Sequence, residues 1–323
     1  MILLDANRRE LGYLNCDVDV DVGTTEASTN DFEFVRDSLM SADVAGFYEP
    51  GTEIGGMIEY LDDSTDSDAT KFKGWTWRGL LSKGVIMPPA GSNYRVVSGE
   101  ANTIIASLLS GFLGNFFTIS TEDSGLTISS YQFPLYINFL DGIEGMLENY
   151  GYRLKITGQK ISSGASIQIL LEAVQAQRVA GTYNQDNGIP MQFIVNKMGI
   201  NHLICGGSGE LQQRMIRHLY IDADGNVSTT QYYTGFQERT EFYDYANAES
   251  EDDLIYYGTQ RLLEVASSKT LKMKAPDDYE LEIGDLVQGT FPDGTVIVSP
   301  IVEKIYKISG GLLSVEYKIK GED

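Results

Sequence analysis

The stretch from Leu14 to Val22 reads Leu-Asn-Cys-Asp-Val-Asp-Val-Asp-Val, and its strict alternation constrains the fold more than any other feature of the chain. Successive side chains on a strand point to opposite faces. A strand over these residues therefore puts Leu14, Cys16, Val18, Val20 and Val22 in one row and Asn15, Asp17, Asp19 and Asp21 in the other. One apolar and one polar row predict a half-buried strand, in a sheet with a covered and an open face. The open row holds three carboxylates and no base.

That acidity extends along the chain. It has 46 Asp and Glu against 24 Lys and Arg, a net charge of -22, and between Leu11 and Ala69 the only basic residue is Arg36. Such a balance argues against sequence-independent nucleic-acid binding, which neutralises phosphates with Lys and Arg, and against docking on an anionic membrane. An apolar content of 42% over 323 residues fits a folded protein of two or three domains. Cys16 and Cys205 lie far apart, outside any metal-ligand spacing, and read as thiols in a reducing compartment. His202 and His218 are the only histidines, too few for a multi-His metal site. The start, Met-Ile-Leu-Leu-Asp, is short and acidic for a signal peptide, and no apolar run reaches the ~20 residues of a membrane span. A soluble protein made in the cytoplasm is expected.

Residues 1–92 read as β: strands over Asp31–Val35 and Thr52–Leu61, a polar loop over Asp62–Asp68, and a strand over Lys71–Leu80 with Trp75 and Trp77 on one face. Pro88-Pro89-Ala90-Gly91 marks a boundary. A helix capped by Ser98 and ended by Gly114 follows, then a second helix over Ile137–Tyr150 and strands over Arg153–Thr157 and Ser166–Val174. From Met191 the pattern is β again, through His202–Cys205, Arg214–Ile221, a turn at Asp222–Asn226 and Val227–Tyr233. A helix over Glu249–Ser267 and strands over Ile297–Ile308 and Leu312–Ile319 end the chain. Glu53-Ile54-Gly55-Gly56-Met57-Ile58 echoes Glu282-Ile283-Gly284-Asp285-Leu286-Val287, which allows the first and last β regions to be copies.

Enzymatic signatures fail on spacing. Asp222-x-Asp224-x-Asn226 starts like a calcium loop, but Val227 and Tyr233 stand where it needs Gly and a bidentate acid. Gly206-Gly207-Ser208-Gly209 has neither the G-x-G-x-x-G spacing nor the P-loop Lys. Cys205 is three residues from His202, which on a strand puts the two on opposite faces. No carboxylate pair sits in a context that predicts desolvation, as a glycosidase requires. Catalytic residues, cofactors and metals are therefore not expected.

Three phrases carry a resemblance: Leu14–Val22, Glu49–Ile58 and Trp77-Arg78-Gly79-Leu80-Leu81. Together with Ile283–Val287 and Val315–Gly321 they make the chain resemble phage tail proteins of the baseplate-hub class. The resemblance implies a mainly β fold with an α+β insertion: two related antiparallel β-barrel domains that form part of a trimeric ring. On that layout 1–92 is the first barrel, 93–196 with 235–275 the insertion domain, and 197–234 with 276–323 the second barrel. It also implies a homotrimer with the tail tube protein above, a tip or spike protein below and other baseplate proteins around, in the baseplate of a virion tail or tail-like particle assembled in the bacterial cytoplasm. Ending at Asp323, after the last strand, the chain is expected to lack the C-terminal lysozyme or peptidase domain of some hub proteins.

On this reading Asp17, Asp19 and Asp21 are candidate lumen-facing residues, where like charge repels passing DNA without binding it. An outer, solvated face is the rival placement. The alternative functions are a glycan- or protein-binding tail module and a carboxylate-dependent cell-wall hydrolase.

Overall fold

The structure is a computed structural model that describes residues 1–36, 43–63, 69–161, 166–183, 191–223, 225–248, 250–273, 281–290 and 296–319. Most of the loop expected at Asp62–Asp68, with Asp224 and Glu249, lies outside the described residues.

The chain opens with strands β1 (Ile2–Leu4), β2 (Glu10–Tyr13), β3 (Val18–Gly23), β4 (Asp31–Arg36), β5 (Gly46–Tyr48), β6 (Gly55–Asp63) and β7 (Thr70–Thr76). Next come α1 (Trp77–Leu81), β8 (Val96–Glu100), α2 (Ala101–Leu108), β9 (Phe117–Ile119), β10 (Thr127–Gln132), α3 (Phe139–Glu148), β11 (Tyr152–Lys160), β12 (Ile167–Gln175) and β13 (Arg178–Tyr183). The remainder is β14 (Met191–Asn196), β15 (His202–Gly206), β16 (Ile216–Ile221), β17 (Val227–Ser228), β18 (Thr240–Asp244), α4 (Glu251–Val265), β19 (Ser268–Met273), β20 (Leu286–Thr290), β21 (Val296–Ser309) and β22 (Leu312–Ile319).

These elements form two compact units. One holds Met1–Pro190, Met273–Gln288 and Pro300–Ile319; the other holds Met191–Lys272, Gly289–Ser299 and Lys320–Asp323. In the first, a curled antiparallel half-barrel sheet runs in the order β22-β21-β3-β4-β7-β6-β5-β1-β2. The last strands thus pair with β3, near the start of the chain, through Ile305 opposite Asp21 and Lys307 opposite Asp19. Val18, Val20 and Val22 are buried in one cluster with Phe32, Phe34 and Phe72. Ile54 and Ile283, the matching positions of the internal echo, lie in that same cluster. An α+β layer of β8–β10, β9–β12–β11, α2 and α3 builds a second core around Ile105, Leu140, Ile143 and Leu171. In the second unit β17-β16-β15-β18 form a sheet. Its Leu203, Cys205 and Leu219 pack against Leu254 and Leu262 of α4.

Several expectations change at element ends: the strand expected over Val227–Tyr233 is only Val227–Ser228, and the helix expected to end at Gly114 ends at Leu108. The strand read over Leu14–Val22 is β3 from Val18 only, because the Asp17 side chain is taken up by hydrogen bonds that compete with ladder pairing. The strand read to Leu80 stops at Thr76, whose hydroxyl accepts from the Gly79 N–H at 3.3 Å and caps α1. Trp77 is consequently helical and fully buried, not paired on a strand face with Trp75. Helix α2 is capped by Glu100, not Ser98, because the Glu100 carboxylate accepts from the N–H groups of Asn102, Thr103 and Ser124. Burial pushes the Glu100 carboxyl up, but the Ser124 hydroxyl and these N–H groups outweigh it and hold it at about 2, well below the usual carboxylate range.

Gly74 sets the spacing of β4, β7 and β6. A Cβ there would lie 1.9 Å from the Met57 carbonyl oxygen and 2.7 Å from the Phe32 ring. Gly74→Ala is expected to lower stability by about 2–3 kcal/mol, read as a shift of the urea midpoint at unchanged slope.

Candidate functional site

The carboxylates of Asp17, Asp19 and Asp21 have three different settings. Asp17 lies before β3. Its Oδ2 accepts from the Ser309 hydroxyl at 2.6 Å and its Oδ1 from the Gly310 N–H at 2.9 Å. Gly310 and Gly311, at φ +58° and +81°, form the two-residue turn between β21 and β22, so Asp17 pins a hairpin tip. The Ser309 bond, then the Gly310 bond, keep its carboxyl below the usual range. Asp21, half-buried, accepts from Ser28 Oγ at 2.7 Å and holds the turn between β3 and β4.

Asp19 is exposed at the middle of β3. Its neighbours across the sheet are Lys307 on β21 and Glu33 on β4. Glu33 lies opposite Lys73, and its carboxylate pairs with Lys71 at 2.5 Å and Lys73 at 2.9 Å. The row Lys307–Asp19–Glu33–Lys73 thus sets two adjacent acids between two bases. In one dimension β3 looked bare of bases; the bases come from strands remote in sequence.

Two carboxyls are desolvated, contrary to the sequence expectation. Glu303 on β21 is buried and 3.6 Å from Lys318 Nζ. Burial, then the Asp21 charge, push its carboxyl up to about 7, with Lys318 pulling the other way. Glu144 on α3 is pushed up to about 8, first by burial, with Arg78 opposing and Asp141, Glu53 and Glu148 adding to the rise. Glu303 has no acid near it in sequence, whereas Glu144 has Asp141 and Glu148 one turn away on either side along α3; a Glu within an apolar-alternating strand or a helix face was the available signal.

Arg78 joins the half-barrel sheet to the α+β layer. It is fully buried and donates to the carboxylates of Glu53 and Glu144 and, at 3.1 Å, to the Leu154 carbonyl. In the second unit His202 bonds Glu238 through Nδ1 at 2.7 Å and His218 through Nε2 at 2.8 Å, on the sheet face away from Cys205. The opposed faces of His202 and Cys205 match the spacing argument, and the Glu238–His202–His218 chain was not foreseen.

No protein-family model matches the chain, and no curated protein matches its sequence. Solved structures do match. A 43 kDa tail protein of prophage MuSo2 from Shewanella oneidensis aligns over 98% of this chain and 97% of its own, at TM-score 0.50 and 11% identity. Prophage tail protein gp18 from Listeria monocytogenes EGD-e aligns over 99% and 93%, at TM-score 0.47 and 13% identity. A chain of the phage P2 baseplate in its activated conformation aligns over 98% and 91%, at TM-score 0.45 and 11% identity. The structural neighbours of this chain are phage tail proteins, and the fold it shares with the MuSo2 protein is a tail-protein fold.

Proposed function

We propose that the chain is a structural protein of a phage tail or tail-like particle: a homotrimeric hub between a six-fold tail tube and a three-fold tip. The observation that carries this reading is the likeness to the MuSo2 tail protein, which takes in nearly the whole of both chains. Two related barrels in each of three subunits would place six around a lumen. The desolvated carboxyls are tied to Lys318 and Arg78, which suits a structural use.

Solution mass and imaging test the proposal. A particle of three 35.7 kDa chains, seen as a ring by electron microscopy, is the expected result. A monomer at micromolar concentration, or turnover of cell-wall substrate abolished by one Asp or Glu change, counts against it.

For the acidic row we propose a narrower part than the alternation implied. Asp17 and Asp21 hold turns, which leaves Asp19 to face the lumen. Asp19→Lys in assembled particles is expected to reduce DNA delivery about fivefold or more. Normal assembly with normal delivery places Asp19 on an outer face.

A further inference from the structure

We propose that the free edge of β18 takes up an extended, basic protein segment as a fifth strand of the sheet in the second unit. Among the described residues β18 pairs with β15 alone. At the two ends of that ladder the His202 N–H donates to the Arg239 carbonyl at 3.1 Å, and the Tyr245 N–H donates to the Gly206 carbonyl at 2.8 Å. Bonding residues alternate along a parallel strand. The backbones of Arg239, Glu241, Tyr243 and Tyr245 therefore face β15, and those of Thr240, Phe242 and Asp244 face outward. A row of outward N–H and C=O groups is a template for another strand, and an extended main chain is what matches it.

The helix leaves room for that strand. α4 packs over β15, β16 and β17, off-centre from β18. Between β18 and the flank of α4 runs a groove of about 510 Å³, lined by Glu241, Tyr243, Tyr257, Gln260, Arg261 and Glu264. A strand added to β18 lies along this groove, with alternate side chains against Tyr243 and Tyr257. Charge sets the chemistry of the occupant. Arg261 bonds both Glu241, at 3.0 Å, and Glu264, at 3.3 Å, so two acids share one base. Lys or Arg alternating with apolar residues complements this rim. The inference uses the second unit alone and stands apart from the hub reading.

The probe is a capped peptide of about ten residues alternating Lys and Val, with a Glu/Val peptide as its counterpart. Binding to the full chain is followed by anisotropy, and amide exchange over residues 238–246 by mass spectrometry. The Lys peptide is expected to slow exchange at Thr240, Phe242 and Asp244 and to bind about tenfold more tightly than the Glu peptide. Phe242→Pro removes an outward N–H that β15 does not use, so the fold tolerates it while affinity falls about tenfold. Phe242→Ala keeps the N–H and is expected to stay within about threefold of the parent. If Phe242→Pro lowers the melting temperature, Asp244→Pro makes the same test one step along the edge. Unchanged exchange under saturating Lys peptide, or undiminished binding by the folded proline variant, overturns the proposal. So does protection of these amides in the chain alone, which would mean that another copy already occupies the edge.

Discussion

Replacing Arg78 with methionine is expected to lower the stability of the first unit by about 3–5 kcal/mol near pH 7. Methionine keeps most of the volume, so the loss reports on charge more than on packing. The side chain donates to Glu53 and Glu144; Arg78 is 1% exposed and Glu53 6%, while Glu144 is partly buried. Removing one partner of a buried ion pair leaves an uncompensated charge, which costs more than the pair contributed net. Two controls separate charge from shape. Adding Glu53→Gln to Arg78→Met is expected to recover part of the loss, because an amide tolerates burial that a carboxylate does not. Lowering the pH is expected to narrow the gap between the single variant and the parent, as stranded carboxyls take up protons. Urea melts followed by Trp fluorescence give the numbers, since Trp77 adjoins Arg78 in α1. A loss below about 1 kcal/mol would mean that the stranded carboxylates reach water.

The sequence was legible where one periodicity governs. The alternation at Val18–Val22 put the valines in the core, and the apolar spacing in 139–147 placed Phe139, Leu140, Ile143, Met146 and Leu147 on the buried side of α3. Boundaries were lost where a side chain competed with the backbone. Asp17 left the strand for Ser309 and Gly310, Thr76 turned a strand into a helix, and Glu100 took the cap expected of Ser98. Each competitor is a side-chain hydrogen bond worth about 1 kcal/mol, enough to move an end but not to remove an element. The candidate site was misread for a different reason. Its electrostatics come from β4, β7 and β21, so Lys307 meets Asp19 only through a pairing nearly 290 positions away in the chain. Alternation along one strand carries no record of such partners.

Glu303→Gln is expected to flatten the dependence of stability on pH between about 4 and 7. The Glu303 carboxyl holds its proton up to about 7 in the folded chain, owing to burial and to Asp21, whereas an unfolded glutamate loses it near 4.3. The stabilising proton is thus fully in place below about 4.3 and is lost as pH rises through 7, so stability falls with rising pH across that window. Lys318 Nζ at 3.6 Å favours the ionised form and, with solvent at the rim, limits the fall to roughly 1–2 kcal/mol. Glutamine has no proton to lose, so its stability profile should lose at least half of the slope. Glu144, pushed up to about 8, adds a slope of the same sign, and Glu144→Gln removes that part separately. If Glu303→Gln runs parallel to the parent, Glu303 is ionised in the folded chain and Lys318 outweighs Asp21.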